Sequence, residues 1–144
     1  MPQLTADEKI AEELTRHGLR ATRQRIAALR KLRRMKSHPT SAELHARLVP
    51  AHKNISQKTV YEILDALVEA SLACRISVLG DAQRYEAKQE PHFHATCRVC
   101  DQLYDVPIRA ESTIQEHSEL PRGFSVEDVK VTIVGVCRTC TSNG

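Results

Sequence analysis

At 144 residues the chain is too short for an α/β barrel and long enough for one ordinary domain or two small ones. A hydrophobic share of 41% and a charged share of 27% describe a folded globular protein, and aromatics at 3% with Trp 0 argue against base stacking on single strands as its main chemistry. The net charge of +3 hides a split: residues 1–88 carry 16 Lys/Arg against 10 Asp/Glu, whereas residues 89–144 carry 5 against 8.

The polar, acidic start Met1–Glu8 predicts no secretory leader, and no run reaches the roughly 18 apolar residues of a membrane span, so a cytoplasmic chain without a membrane partner is expected. Thr5-Ala6-Asp7-Glu8 has capping-box spacing and opens a helix with Ile10 and Leu14 inward, ended by Gly18. A second helix is predicted from after Thr22 to about Met35 on the stripe Ile26, Leu29, Leu32, with Pro39 beyond it as a breaker. Thr40–Glu43 is another capping box, for a short helix with Leu44 and Leu48 inward. Ser56 caps a fourth helix, with Val60, Ile63, Leu64, Leu67 and Val68 at helical period. Leu72–Leu79 reads as a strand, Gly80-Asp81 as a turn and Ala82–Ala87 as the returning strand. Helices followed by a hairpin make a winged helix-turn-helix over residues 1–87.

Residues 88–91 are a polar hinge, and residues 92–144 form a second, small α/β domain. Within it, His92–Cys97 and Leu103–Val106 read as strands, Arg109–Glu119 as a helix, and Phe124–Val136 as a long strand with Val129, Val131 and Ile133 on one face. The expected class is α+β, the second domain holding a three-stranded sheet.

Three features carry chemistry. Between Leu14 and Ala42 stand nine bases and no acid, a pattern that serves either as a solvated helix face or as a phosphate-neutralising footprint. Cys97-x-x-Cys100 and Cys137-x-x-Cys140, 36 residues apart, are two knuckles that together offer four thiolates. A lone such pair can be redox-active, but two flanking a small domain suit a structural Zn²⁺, which accepts a closed tetrahedral sulfur shell and staples a unit too small to hold itself. Cys74, the fifth cysteine, reads as a small buried hydrophobe in the wing. Lastly, His92 and His94 alternate onto one strand face, with Asp105 on the next strand, Glu86 before the hinge and His38 ahead of the third helix. Imidazole and carboxylate donors suit Fe²⁺, Mn²⁺ or Zn²⁺, although on spacing alone these residues read more readily as bystanders on the surface, and their value depends on converging in space.

Taken together, Gly18–Arg25, His38-Pro39-Thr40, Ser56 with Thr59-Val60-Tyr61, Arg84-Tyr85-Glu86, His92-x-His94-x-x-Cys97-x-x-Cys100 and Gly135-x-Cys137-x-x-Cys140 resemble the ferric uptake regulator family over nearly the whole chain. The resemblance implies a homodimeric, metal-dependent repressor of a double-stranded DNA operator, and not an enzyme. It implies structural zinc on Cys97, Cys100, Cys137 and Cys140, and a regulatory Fe²⁺ or Mn²⁺ on His38, Glu86, His92, His94 and Asp105. It further implies DNA contacts from Arg20, Lys58, Thr59 and Tyr61. Asp105 is similar to the peroxide-sensing branch, with hydrogen peroxide as the signal and oxidative-stress and iron genes as the targets, whereas Glu86 stands where the familiar peroxide repressors have Asp. A plain iron or zinc uptake regulator is the alternative inside the family. Asp101 occupies a place the family usually gives to Gly, and Glu62 one where iron regulators often have Arg. Outside the family, a small metallohydrolase on His92, His94 and Asp105, or a zinc-stapled interaction adaptor, are the rival readings.

Overall fold

The computed structural model describes residues 2–76, 82–88, 90–108, 118–127 and 129–142. The chain divides into two compact units, Met1–Gln89 and Glu90–Gly144.

The first unit contains α1 (Ala6–Arg16), α2 (Arg23–Arg34), α3 (Ser41–Leu48), α4 (Gln57–Glu69), β1 (Ala73–Ile76) and β2 (Arg84–Ala87). Every helix starts where a hydroxyl side chain satisfies an orphan amide: Thr5, Thr22, Thr40 and Ser56 each accept the N–H three residues on. At Thr5 and Thr40 the returning Glu8 and Glu43 carboxylates complete a capping box. α1 ends as expected, with Gly18 at φ +77° and Leu19 N–H donating to the Leu14 carbonyl. α4 ends in the same motif, but Ser71 holds the left-handed place at φ +61° while Leu72 N–H donates to the Leu67 carbonyl. One face of each helix converges on a core of Leu14, Ala28, Leu29, Leu32, Leu44, Val60, Leu64 and Leu67, closed by Tyr85 from β2. β1 and β2 pair antiparallel from Ala73↔Ala87 to Ile76↔Arg84, so this unit is a winged helix-turn-helix.

Among the described residues the hairpin ladder runs from Ala73↔Ala87 to Ile76↔Arg84; the Leu72 N–H goes to the end of α4 while its carbonyl accepts from the Lys88 N–H, and residues 77–79 of the expected strand with the Gly80-Asp81 turn lie outside the described residues.

The second unit contains β3 (His92–Cys97), β4 (Leu103–Pro107), β5 (Thr132–Gly135) and a short α5 (Arg138–Ser142). The sheet order is β4-β3-β5, with β4 antiparallel and β5 parallel to β3. Of the long strand expected over Phe124–Val136, only Thr132–Gly135 is strand among the described residues. A turn at Pro121–Phe124 with Gly123 at φ +79° opens the segment, and the β5 ladder with β3 runs from His94↔Thr132 to Cys97↔Gly135. Ile133 and Val129 are exposed. The helix expected at Arg109–Glu119 falls almost wholly outside the described residues, and α5 has no counterpart in the sequence reading. Buried positions of this unit among the described residues are Thr96, Cys97 and Leu103. None of the described helices is long and apolar enough to cross a membrane.

Candidate metal centres and nucleic-acid interface

The sheet brings both cysteine knuckles together. Cys97 ends β3, Cys100 follows in the turn, Cys137 comes just after β5 and Cys140 lies in α5. Their sulfurs all lie within 4.8 Å of one another, and Cys100 Sγ is 3.8 Å from Cys137 Sγ. That is far beyond a disulfide bond and matches the edge of a tetrahedron whose centre is about 2.3 Å from each corner, the usual Zn–S length. The donor set and its spacing therefore fit Zn²⁺.

Backbone amides prepare the thiolates. The Cys137 N–H donates to Cys97 Sγ at 3.2 Å and holds that thiol down to about 6. Cys137 is lowered by the Cys140 N–H. Cys140 is pushed up to about 12 because hydrogen bonding to the neighbouring Cys137 and Cys100 sulfurs favours its protonated form, with burial acting in the same direction. For Cys100 the Gln102 N–H pulls downward, but burial and Cys97 outweigh it and the thiol sits above its usual range. Bound Zn²⁺ lets all four lose their protons.

The knuckle turn survives its unusual residue. Asp101 adopts φ +59°, its N–H donating to the Cys97 carbonyl at 2.9 Å, and Asp tolerates this left-handed conformation better than most side chains. Tyr104 was missed by the sequence reading: the Cys137 sulfur beside it holds the phenol above its usual range, and the phenol in turn helps to lower the thiol. Nothing in motif spacing marks it. Its place on β4, one register step from Asp105, brings it there.

The nitrogen and oxygen donors fall into two groups, one in each unit. In the first, His38 Nε2 faces Glu86 Oε2 at 3.4 Å, and both residues are buried. His38 holds φ +52°, a conformation that costs a side-chain-bearing residue on the order of 1–3 kcal/mol and clusters at functional positions. In the second, β3 aims His92 and His94 to one face, and the β3–β4 register sets His94 opposite Asp105. His92 Nε2 and His94 Nε2 lie 3.4 and 3.5 Å from Asp105 Oδ1 and 3.1 Å from each other. These are separations of neighbouring donors on one ion at bond lengths of about 2.1 Å. The Glu90 carbonyl accepts from His92 Nδ1 at 2.8 Å; that fixes the proton on Nδ1 and leaves Nε2 as the ligand atom, an orienting contact the sequence gave no sign of. Both groups fit a borderline divalent cation such as Fe²⁺ or Mn²⁺.

On α4, the buried side Val60, Ile63, Leu64, Leu67 leaves Lys58, Tyr61 and Glu62 outward, Tyr61 at 47% exposure, with Thr59 half-buried behind the Ser56 cap. Lys58 Nζ is 3.8 Å from Glu62 Oε1, so part of its charge is answered on the same helix. Arg20 is exposed before α2. The acid-free block is also less bare than its sequence. α1 supplies the acids, with Asp7 on Arg30 and Glu13 on Arg33, the latter at 2.7 Å.

The profile of the ferric uptake regulator family matches residues 16–134. The peroxide-responsive repressor PerR of Staphylococcus epidermidis is 28% identical over 138 residues, 96% of this chain and 91% of that protein. Among solved structures, the peroxide stress regulator of Campylobacter jejuni superposes with a TM-score of 0.71 at 26% identity, covering 95% of this chain and 100% of that one. The Helicobacter pylori ferric uptake regulator superposes at 0.73 with 22% identity over 98% and 97% of the two chains, a likeness of fold. The chain belongs to the ferric uptake regulator family, whose members are metal-dependent DNA-binding repressors rather than enzymes.

Proposed function

We propose that this repressor senses hydrogen peroxide through a regulatory Fe²⁺ held by His38, Glu86, His92, His94 and Asp105, with a structural Zn²⁺ on Cys97, Cys100, Cys137 and Cys140. The reading rests chiefly on Asp105, a carboxylate within 3.5 Å of two imidazole nitrogens in a donor set free of thiolate. The similarity to proteins named as peroxide-responsive repressors supports it. Fe²⁺ bound there would lend an electron to cleave the peroxide O–O bond and regain one from the oxidised ring, so that hydrogen peroxide is the two-electron oxidant and the histidine the reductant overall. The histidines do the rest: an imidazole carbon gains one oxygen atom, a water molecule leaves, and the damaged ring no longer donates as before. Ligands drawn from both units make metal occupancy a means of selecting the arrangement that fits DNA, and the chain acts as a homodimer on its operator. Arg20, Lys58, Thr59 and Tyr61 are its DNA contacts in this reading, Lys58 toward phosphate and Tyr61 toward base edges.

The test is mass spectrometry of tryptic peptides from Fe²⁺-loaded protein exposed to hydrogen peroxide, alongside operator binding. One added oxygen on the His38 or His92 peptide with loss of binding is expected. Unmodified histidines with binding retained overturn peroxide sensing and leave a plain iron-responsive repressor.

A further inference from the structure

Arg84 is the first residue of β2, two before Glu86. Its Nη1 donates to the His38 carbonyl oxygen at 2.9 Å and lies 3.6 Å from Glu43 Oε2. The backbone stitches the same segments together: Tyr85 N–H donates to the Pro39 carbonyl at 2.9 Å, and Thr40 bridges to Arg84 antiparallel. The segment carrying His38 is thus bound along β2 as a short extra strand, anchored by Tyr85 in the core. Glu43 belongs to the same assembly, because its carboxylate also accepts the Thr40 N–H at the cap of α3.

The left-handed backbone of His38 explains why a charged donor is needed there. At φ +52° the peptide following His38 departs from the path of either helix or strand, so its carbonyl does not fall into a regular ladder. The guanidinium receives that carbonyl with a charge-assisted hydrogen bond, the strong kind. Glu43 Oε2 stands 3.6 Å from the same Nη1 as an ion-pair partner.

We infer that Arg84 is a positioning residue for the metal half-site of the first unit: acting through the backbone of His38, it holds the imidazole Nε2 toward the Glu86 carboxylate. The inference rests on the reading of His38 and Glu86 as metal ligands. Groups that orient ligands in this way typically change metal affinity by on the order of 10–100-fold when removed.

The experiment uses the full-length, zinc-loaded protein and its Arg84→Ala, Arg84→Met, Arg84→Lys and His38→Ala variants. Mn²⁺ affinity is read from the free-ion electron paramagnetic resonance signal, with zinc content, thermal unfolding and operator binding at saturating Mn²⁺ measured beside it. The expected result for Arg84→Ala is Mn²⁺ binding weaker by about tenfold or more, unchanged zinc content, and operator binding restored by excess Mn²⁺. Arg84→Lys, which keeps one donor, recovers part of the loss, and Arg84→Met, which keeps the stem without the donors, reads the same loss should the alanine variant not fold. Mn²⁺ affinity unchanged in Arg84→Ala and Arg84→Met but weakened in His38→Ala overturns the inference. Affinity unchanged in all three overturns it together with the ligand assignment. Operator binding that excess Mn²⁺ does not restore overturns it in favour of a DNA contact or a purely structural role.

Discussion

Removing zinc should unfold the second unit and spare the first. The described residues of the second unit bury Thr96, Cys97 and Leu103, against a core of sixteen residues in the first. The sheet of the second unit is three short strands, and the chain between β4 and β5 has to be closed by something. With 36 residues between Cys100 and Cys137, a cross-link there removes about 4 kcal/mol of chain entropy from the unfolded state at 25 °C. Tetrathiolate binding adds its own favourable term. Leu103 is the one large aliphatic side chain that the described residues of this unit bury, and its roughly 1.5–3 kcal/mol before ordering costs falls short of a loss of this size. The assay is amide hydrogen exchange on full-length protein, zinc-loaded, chelator-stripped, and as Cys137→Ser, with zinc content measured in each. Protection in β3, β4 and β5 should fall to that of an open chain, while α2 and α4 keep theirs. A zinc-containing protein whose β3–β5 protection is unchanged on stripping refutes the staple argument.

Two further outcomes follow from local geometry. Lys58→Ala should lower the slope of log affinity for duplex DNA against log salt by about 1 and weaken all sequences alike, as loss of one phosphate contact does, whereas Glu62→Gln, by releasing Lys58 from its partner, should tighten binding; a slope unchanged in Lys58→Ala removes that residue from the interface. Asp101→Gly should leave zinc retention and thermal stability near those of the parent, because it trades left-handed strain for backbone entropy. Asp101→Val, a β-branched residue forced to φ +59°, should destabilise the second unit by about 2 kcal/mol, read as a lowered melting temperature and faster zinc loss to a chelator.

The helical unit was legible because its signals are local. Four hydroxyl caps, two capping boxes and a 3.6-residue apolar period are all written within a few residues of where they act, and α1–α4 lie where those signals put them. The cysteine knuckles were legible because their spacing is itself the chemistry. The second unit's strand lengths were not. Val129 and Val131 have β propensity, but a strand exists only where a partner ladder runs, and the ladder with β3 begins at Thr132. The compensation of Arg30 and Arg33 by Asp7 and Glu13 was invisible too, since α1 and α2 are neighbours in space while the acids precede the basic block in sequence. Tyr104 and the Glu90 carbonyl were missed for the same reason: each reaches its partner through register or a turn rather than through a motif.

The two donor sets of the second unit share one strand, and that arrangement separates their chemistries while linking their order. β3 carries His92 and His94 at its start and Cys97 at its end. Three residues of extended chain from His94 to Cys97 span about 10 Å. That is far enough to keep the thiolates off the imidazole-bound ion, and so to keep soft sulfur from competing for it. Yet the strand cannot be ordered at one end alone. The parallel ladder runs from His94↔Thr132 to Cys97↔Gly135, and the antiparallel one sets His94 opposite Asp105. A sulfur-bound zinc that pins Cys97 and Cys137 thereby fixes both neighbours of β3, and with them the facing of His94 on Asp105. The strand that a small core holds poorly is the one whose side chains need close placement, so in the proposed reading zinc on the four cysteines would act on the proposed regulatory donors through the sheet, as preorganisation rather than as a ligand.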